Sequence, residues 1–297
     1  MKKLLCAALG SAAAFTGGSL GLASYILRIP RQSLEQALDW QRDHYDISWL
    51  ETTPQEPYTV TSWDGYILHA VVLRPAVESR RYVILSHGYT DNRWGSLKYA
   101  RLYLDLGWNC ILWDLRGHGA NEPGLCTYGM TEGRDLAELV KDARSRFGEA
   151  LTLGLHGESL GAATTVSALR HDPQVDFAVA DSPFADIVNV LEGKAPALLV
   201  KLANPGAKLR CGIALTEMRP IDGVLRSRVP LLLFHGTADS FISPENSRRI
   251  YNAAQGVKEL HLIEGAEHAQ SVFTDPEGYR RILTAFLEKA TASAAHT

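Results

Sequence analysis

The sequence predicts an α/β domain built on a mostly parallel, eight-stranded sheet with helices on both faces. Three observations carry this expectation. Short, nearly continuous apolar runs alternate with helical stretches along most of the chain, the rhythm of parallel strands buried on both faces. Several of those runs end in glycine-containing loops, which belong at the carboxyl edge of the sheet, where open α/β folds bind ligands. A length of 297 residues with 46% hydrophobic content suits one large core rather than several.

Lys2, Lys3, Arg28 and Arg31 are the only charged residues among the first 31. Their four positive charges, set against the net −3 of the whole chain, leave about −7 on the remainder. That balance gives no electrostatic reason to bind nucleic acid. Residues 4–27, "LLCAALGSAAAFTGGSLGLASYIL", are uncharged and long enough for the roughly 20 residues of a spanning helix. The basic start, the Leu/Ala run and the small residues around "SAAAF" equally suit a cleaved signal peptide. The first reading tethers the chain to the cell membrane in a single pass, with a cytoplasmic N-terminus and an exported catalytic domain over residues 32–297. The second secretes that domain. A buried helix fits poorly, because this stretch has no polar face and the domain pattern offers it nothing to pack into.

Residues 33–50 begin with a Ser cap and space Leu34, Leu38, Trp40 and Tyr45 as an amphipathic connector does. "YTVTSWDGYILHAVVLRP" reads as two strands joined by a turn at Trp63-Asp64-Gly65. The alternation then runs through "RYVILSHG", a helix near 96–106, "WNCILWD", a helix near 131–147, "LTLGLHG", a helix after Ser159 and "VDFAVADS". Residues 182–228 interrupt it, with "FADIVNVLEGKAPALLVKLANPGA" reading as two short apolar helices that cap the strand ends. "VPLLLFHG", a helix near 244–255, "ELHLI" and a final helix near 276–290 complete the domain. Four cysteines are too few for a disulfide scaffold. Cys6 lies in the leader and Cys110 in a strand, leaving Cys126 and Cys211 as the one available pair.

The pentapeptide Gly-x-Ser-x-Gly occurs twice, at 17–21 and 157–161. Ser19 has no strand before it and no partner base. Ser159 follows an apolar strand and precedes a helix, the strained turn that presents a nucleophile at the sheet edge. The turn brings strand and helix so close that Gly157 and Gly161 remove side-chain clashes, and the helix N-terminus favours an anion forming there. A serine also needs a base and an orienting acid. Asp239 lies in the loop after "VPLLLFHG", and His268 in the loop "EGAEHAQS" after "ELHLI". His261 falls within a strand, and Asp181, ending "VADS", is the competing acid. The backbone N–H groups of Tyr89, after the strand ending His87-Gly88, and of Leu160 are the expected oxyanion donors. His87, Asp114, Arg116 and His118 are read as holding loops.

HGYT, DLRGHG, GESLG, HGTAD and GAEH, in this order, resemble the α/β-hydrolase superfamily, across residues 55–290. Within it the chain is similar to bacterial single-anchor serine hydrolases of the esterase and peptidase-like type. The resemblance implies the α/β-hydrolase fold, with nucleophile Ser159, acid Asp239 and base His268. The chain lacks the HGGG motif of hormone-sensitive lipases and the N-terminal propeller of prolyl oligopeptidases. The expected activity is cleavage of a small-molecule acyl ester through an acyl-enzyme. Peptidase or amidase activity by the same triad is the first rival, and a non-catalytic binding protein of the same fold the second. No cofactor or metal is expected, since no His-Glu-x-x-His or comparable ligand spacing occurs.

Overall fold

The computed structural model describes residues 15–149 and 151–294. The strands are β1 (Gln55–Thr61), β2 (Ile67–Leu73), β3 (Arg81–Ser86), β4 (Asn109–Trp113), β5 (Thr152–Glu158), β6 (Phe177–Asp181), β7 (Leu231–Gly236) and β8 (Lys258–Ile263). They form one sheet in the order β1-β2-β4-β3-β5-β6-β7-β8. Only β2 runs against its neighbours, and every pair from β4 to β8 is parallel. The hairpin at residues 62–65 and the crossover rhythm are therefore as expected from the sequence. β5 runs on through Gly157 and Glu158, which still pair with Ala180 and Asp181.

Helices cover both faces. α4 (Leu97–Asp105) and α11 (Pro276–Ala294), which follows the single turn α10 (Ser271–Thr274), pack on one, α5 (Met130–Phe147) and α6 (Leu160–Ala168) on the other, and α9 (Glu245–Ala253) flanks β7 and β8. α6 is buried all round, consistent with its Ala/Thr-rich, glycine-opened sequence. The connector forms α2 (Leu34–His44), opened by a full capping box in which Ser33 and Gln36 satisfy each other's backbone N–H groups. A single turn, α3 (Trp49–Thr52), follows it. The insertion holds α7 (Ile187–Glu192) and α8 (Ala197–Cys211), as expected, and two 3-10 turns, Leu215–Glu217 and Pro220–Val224.

The N-terminal segment differs from its reading. Residues 15–26 form helix α1, and Ala23 and Leu27 are fully buried in the same apolar cluster as α6 and α8. Ser19 has partners after all: its hydroxyl donates to Leu202 O at 2.6 Å and accepts from Gly206 N at 2.8 Å. A Cβ on Gly206 would sit 2.2 Å from Ser19 O, so glycine there lets the two helices touch backbone to backbone. What the one-dimensional pattern could not offer, a packing partner for a small-residue helix, is supplied by the inserted α8. Among the described residues no helix is long and apolar enough to cross a membrane. Residues 4–14 of the expected span, with Cys6, lie outside the described residues.

Cys126 and Cys211 are free thiols, which corrects the pairing considered above. Cys211 Sγ is directed at the carbonyls of Ala207 and Ile213, at 3.2 and 3.4 Å, while Cys126 is buried in the core.

Candidate active site

Ser159 sits between β5 and α6 with φ +52° and ψ −111°, a conformation L residues seldom adopt. The flanking glycines explain how the turn closes. A Cβ on Gly157 would lie 2.1 Å from Gly161 O, and one on Gly161 would lie 2.0 Å from Ser86 O. The seryl backbone is held from the neighbouring strand by Ser159 N donating to Asp181 O at 2.9 Å.

The three residues selected from the sequence, 159, 239 and 268, meet at this point. His268 Nε2 is 2.9 Å from Ser159 Oγ, and His268 Nδ1 is 2.7 Å from Asp239 Oδ2. A carboxylate only accepts, so Nδ1 carries the proton and Nε2 is left to take the one on Ser159. Asp239 Oδ1 accepts from the N–H groups of Phe241 and Ile242 at 2.9 and 2.8 Å. Burial pulls the Asp239 carboxyl upward, but hydrogen bonds from His235 and His268 outweigh it and hold the group well below the usual carboxylate range.

His235 was not singled out from the sequence. Its Nε2 lies 3.2 Å from Asp239 Oδ2 and 2.8 Å from Ile242 O, while Nδ1 faces Ser247 Oγ at 2.7 Å. Fully buried, it meets the Asp239 carboxylate at the same oxygen as His268. The available signal was its place before glycine at a strand end, which it shares with His87.

A polar cluster supports the loop that carries His268. Lys98 pairs with Glu158, the residue before the serine, and donates to Ala269 O at 3.2 Å. Tyr99 OH bridges Glu158 and Asp181 at 2.8 and 3.1 Å. Asp181 also accepts from Ser182 and Ser271, each at 3.1 Å. Asp181 therefore lies in the cluster beneath the loop that carries His268, with no direct bond to the imidazole. Ala269 takes φ +58° immediately after His268, and these bonds on both sides of it hold that conformation.

The two expected oxyanion donors flank the serine. Leu160 opens α6, whose first N–H groups have no intrahelical acceptor. Gly88 passes so close that a Cβ there would lie 3.9 Å from Ser159 Cβ, which brings the following residue, Tyr89, to the same edge. Tyr89 is pinned at both ends. Its carbonyl faces His118 Nε2 at 2.6 Å, and its hydroxyl donates to Arg28 O in the segment after α1.

The remaining motif residues hold loops. Asp114 takes the Arg93 backbone and guanidinium together with Ala120 N, and Arg116 pairs with both Asp64 and Asp135. His261 stays on β8 beside Glu259.

Burial pushes the imidazoles of His87 and His156 down to about 3. The unfolded chain protonates both near pH 6.5, so the stability they contribute is complete above that pH and lost as pH falls towards 3. Asp91, raised by burial to about 6, opposes this in part below that pH, because the folded chain takes up that proton first. Urea unfolding between about pH 7 and pH 5 is expected to show falling stability. His156→Gln should flatten the slope by about one proton, or up to about 1.4 kcal/mol per pH unit. An unchanged slope in the variant would contradict the buried, neutral imidazole.

The family model for serine aminopeptidase, S33, matches residues 77–224 and 216–277, a region holding all three residues of the hydrogen-bonded chain. The chain belongs to this family. Family membership makes it a serine hydrolase of the α/β-hydrolase superfamily, in agreement with the sheet and helix arrangement. It is 29% identical to protein YqkD of Bacillus subtilis over 304 residues, 99% of each chain. Among solved structures, an esterase of Pyrococcus furiosus, Pf2001, superposes with TM-score 0.68 at 21% identity, covering 88% of this chain and 96% of the esterase. The Pyrococcus horikoshii acylaminoacyl peptidase superposes with TM-score 0.63 at 14% identity, covering 82% of this chain and 43% of the peptidase. At these identities the two structures speak to the fold alone.

Proposed function

We propose that this serine hydrolase cleaves carboxylic esters through an acyl-enzyme on Ser159. The observation that carries the reading is the unbroken chain Ser159 Oγ, His268 Nε2, His268 Nδ1, Asp239 Oδ2, with contacts of 2.9 and 2.7 Å at a strand-to-helix turn. Ser159 Oγ attacks the acyl carbon while His268 takes its proton. The N–H groups of Tyr89 and Leu160 receive the charge that develops on the carbonyl oxygen. As the bond to the leaving oxygen breaks, the imidazolium returns the proton to it, and Asp239 holds the imidazole in its tautomer throughout. Water, deprotonated by His268, then releases the acid.

The preference for esters over amino-terminal peptides rests on the carboxylates beneath the site. An aminopeptidase has to hold a free α-ammonium, and a carboxylate is the natural partner for it. Glu158 is bound by Lys98 and Tyr99, and Asp181 by three hydroxyls, so both are already engaged. Phe241, 54% exposed with its ring centroid 5.0 Å from that of His268, adds apolar surface at the mouth. The test is fluorophosphonate labelling of the full chain, followed by turnover of p-nitrophenyl esters against matched p-nitroanilides of acyl and aminoacyl groups. Labelling with higher turnover of esters is expected. Preference for the aminoacyl anilide would replace the ester reading with the peptidase one, and absence of labelling would replace it with the binding-protein one.

A further inference from the structure

Phe241 and Lys194 form a ladder that climbs from His268 to the protein surface. The Phe241 ring lies 5.0 Å from the His268 ring, inclined by 48°. Its backbone is fixed from below, since Phe241 N donates to the triad carboxylate at 2.9 Å. Lys194, in the turn between α7 and α8 of the cap, places its ammonium 3.7 Å from the centroid of the same ring. That ammonium is solvent-exposed and has no carboxylate partner among the described residues. Elsewhere on the cap Lys208 pairs with Glu217, and Asp186 takes Arg249.

The chemistry of the site says which part of a substrate meets this ladder. His268 has to hand its proton to the leaving group, so the leaving-group atom lies within hydrogen-bond reach of Nε2, and whatever flanks the imidazole touches the leaving group rather than the acyl chain. From the proposed esterase reading, on which this step rests, we infer that Lys194 and Phe241 form a leaving-group subsite. It selects esters whose alcohol portion carries an apolar body and an anionic oxygen group, carboxylate or phosphate. Phe241 takes the apolar body. The unpaired ammonium, seated over the ring face, meets the anion.

The test compares butyrate esters of 4-hydroxyphenylacetate and of 4-hydroxyphenylacetamide. The two share leaving-group shape and differ in charge, and the 4-hydroxybenzylphosphonate ester supplies the phosphorus arm. The full-length protein is expected to favour an anionic ester over the neutral one by roughly fivefold in kcat/KM, the ratio equivalent to about 1 kcal/mol. The larger of the carboxylate and phosphonate ratios identifies which oxyanion the subsite fits. In Lys194→Met the ratio should fall to about one, while Lys194→Arg keeps it and added salt erodes it. Lys208→Met, a charge change elsewhere on the cap, should leave the ratio as it is. A wild-type ratio of one or below, a ratio that survives in Lys194→Met, or an equal fall in Lys208→Met would overturn the subsite. Failure of the hydrolase reading is told apart by the absence of turnover of all three esters together with absent fluorophosphonate labelling.

Discussion

Ser159→Ala is expected to lose hydrolysis by at least roughly 10⁴-fold in kcat, with fluorophosphonate labelling gone, because the triad acts as a unit and its effects are strongly non-additive. Adding His268→Ala to that variant should then cost little more. Asp239→Asn is expected to fall by roughly 10³ to 10⁴-fold, since an amide at that position no longer holds the imidazole with its proton on Nδ1. These losses are functional and not structural. The hydroxyl of Ser159 makes one side-chain bond, to His268, so the alanine variant should melt within a few degrees of the wild type. Ser159→Gly should be more stable by about 1 kcal/mol, because the backbone at φ +52° suits glycine and strains serine. Stabilisation with loss of activity is what a strained nucleophile turn requires. An alanine variant with more than a few per cent of wild-type kcat would remove Ser159 from the mechanism.

Deleting residues 1–31 is expected to lower stability by about 4 kcal/mol or more, corresponding to a fall in Tm of roughly 10 °C for a domain of this size. The described part of that segment is built into the domain. Leu27 and Ala23 are fully buried, and Cys126 N donates to Leu27 O at 3.0 Å. Arg31 reaches the carbonyls of Gly119 and Asn121 at 2.9 and 2.6 Å. Two aromatic hydroxyls, those of Tyr89 and Tyr128, end on carbonyls of Arg28 and Ile26. Removing the segment exposes apolar core and takes away the partners of these polar groups. Because Tyr89 is one of the two proposed oxyanion donors, the deletion should also lower kcat in whatever protein remains folded at low temperature. Thermal unfolding of the full chain against residues 32–297, followed by circular dichroism, measures the effect. Equal Tm values would mean that α1 contributes nothing to the folded domain.

Legibility in the sequence followed the range of the interactions. The strands were readable because each is a contiguous apolar run, and the triad because all three residues lie in loops at strand ends along one edge. His235 and Lys98 were missed for a common reason. Lys98 lies on the face of α4 that meets Glu158, and His235 belongs to an apolar strand, so neither partner can be inferred from residues nearby in the chain. Phe241 and Lys194 are separated by the whole of α8 and β7, and nothing local pairs them.

The N-terminal segment marks the same boundary from the other side. An uncharged run of small and apolar residues is equally good as a spanning helix, a signal or a packed helix, because composition specifies burial and not the medium that buries it. The sequence by itself determined the parallel sheet, the strand-to-helix turn at Ser159 with its two obligatory glycines, and Ser159, Asp239 and His268 as the residues to look for, since these rest on periodicity, backbone sterics and residue type. Only the tertiary structure decided that α1 packs against the inserted α8, that Asp239 rather than Asp181 meets the imidazole of His268, and that an ammonium without a carboxylate partner stands over Phe241 beside it. These depend on which distant surfaces meet, and such meetings are set by the packing of the whole core rather than by any stretch of chain.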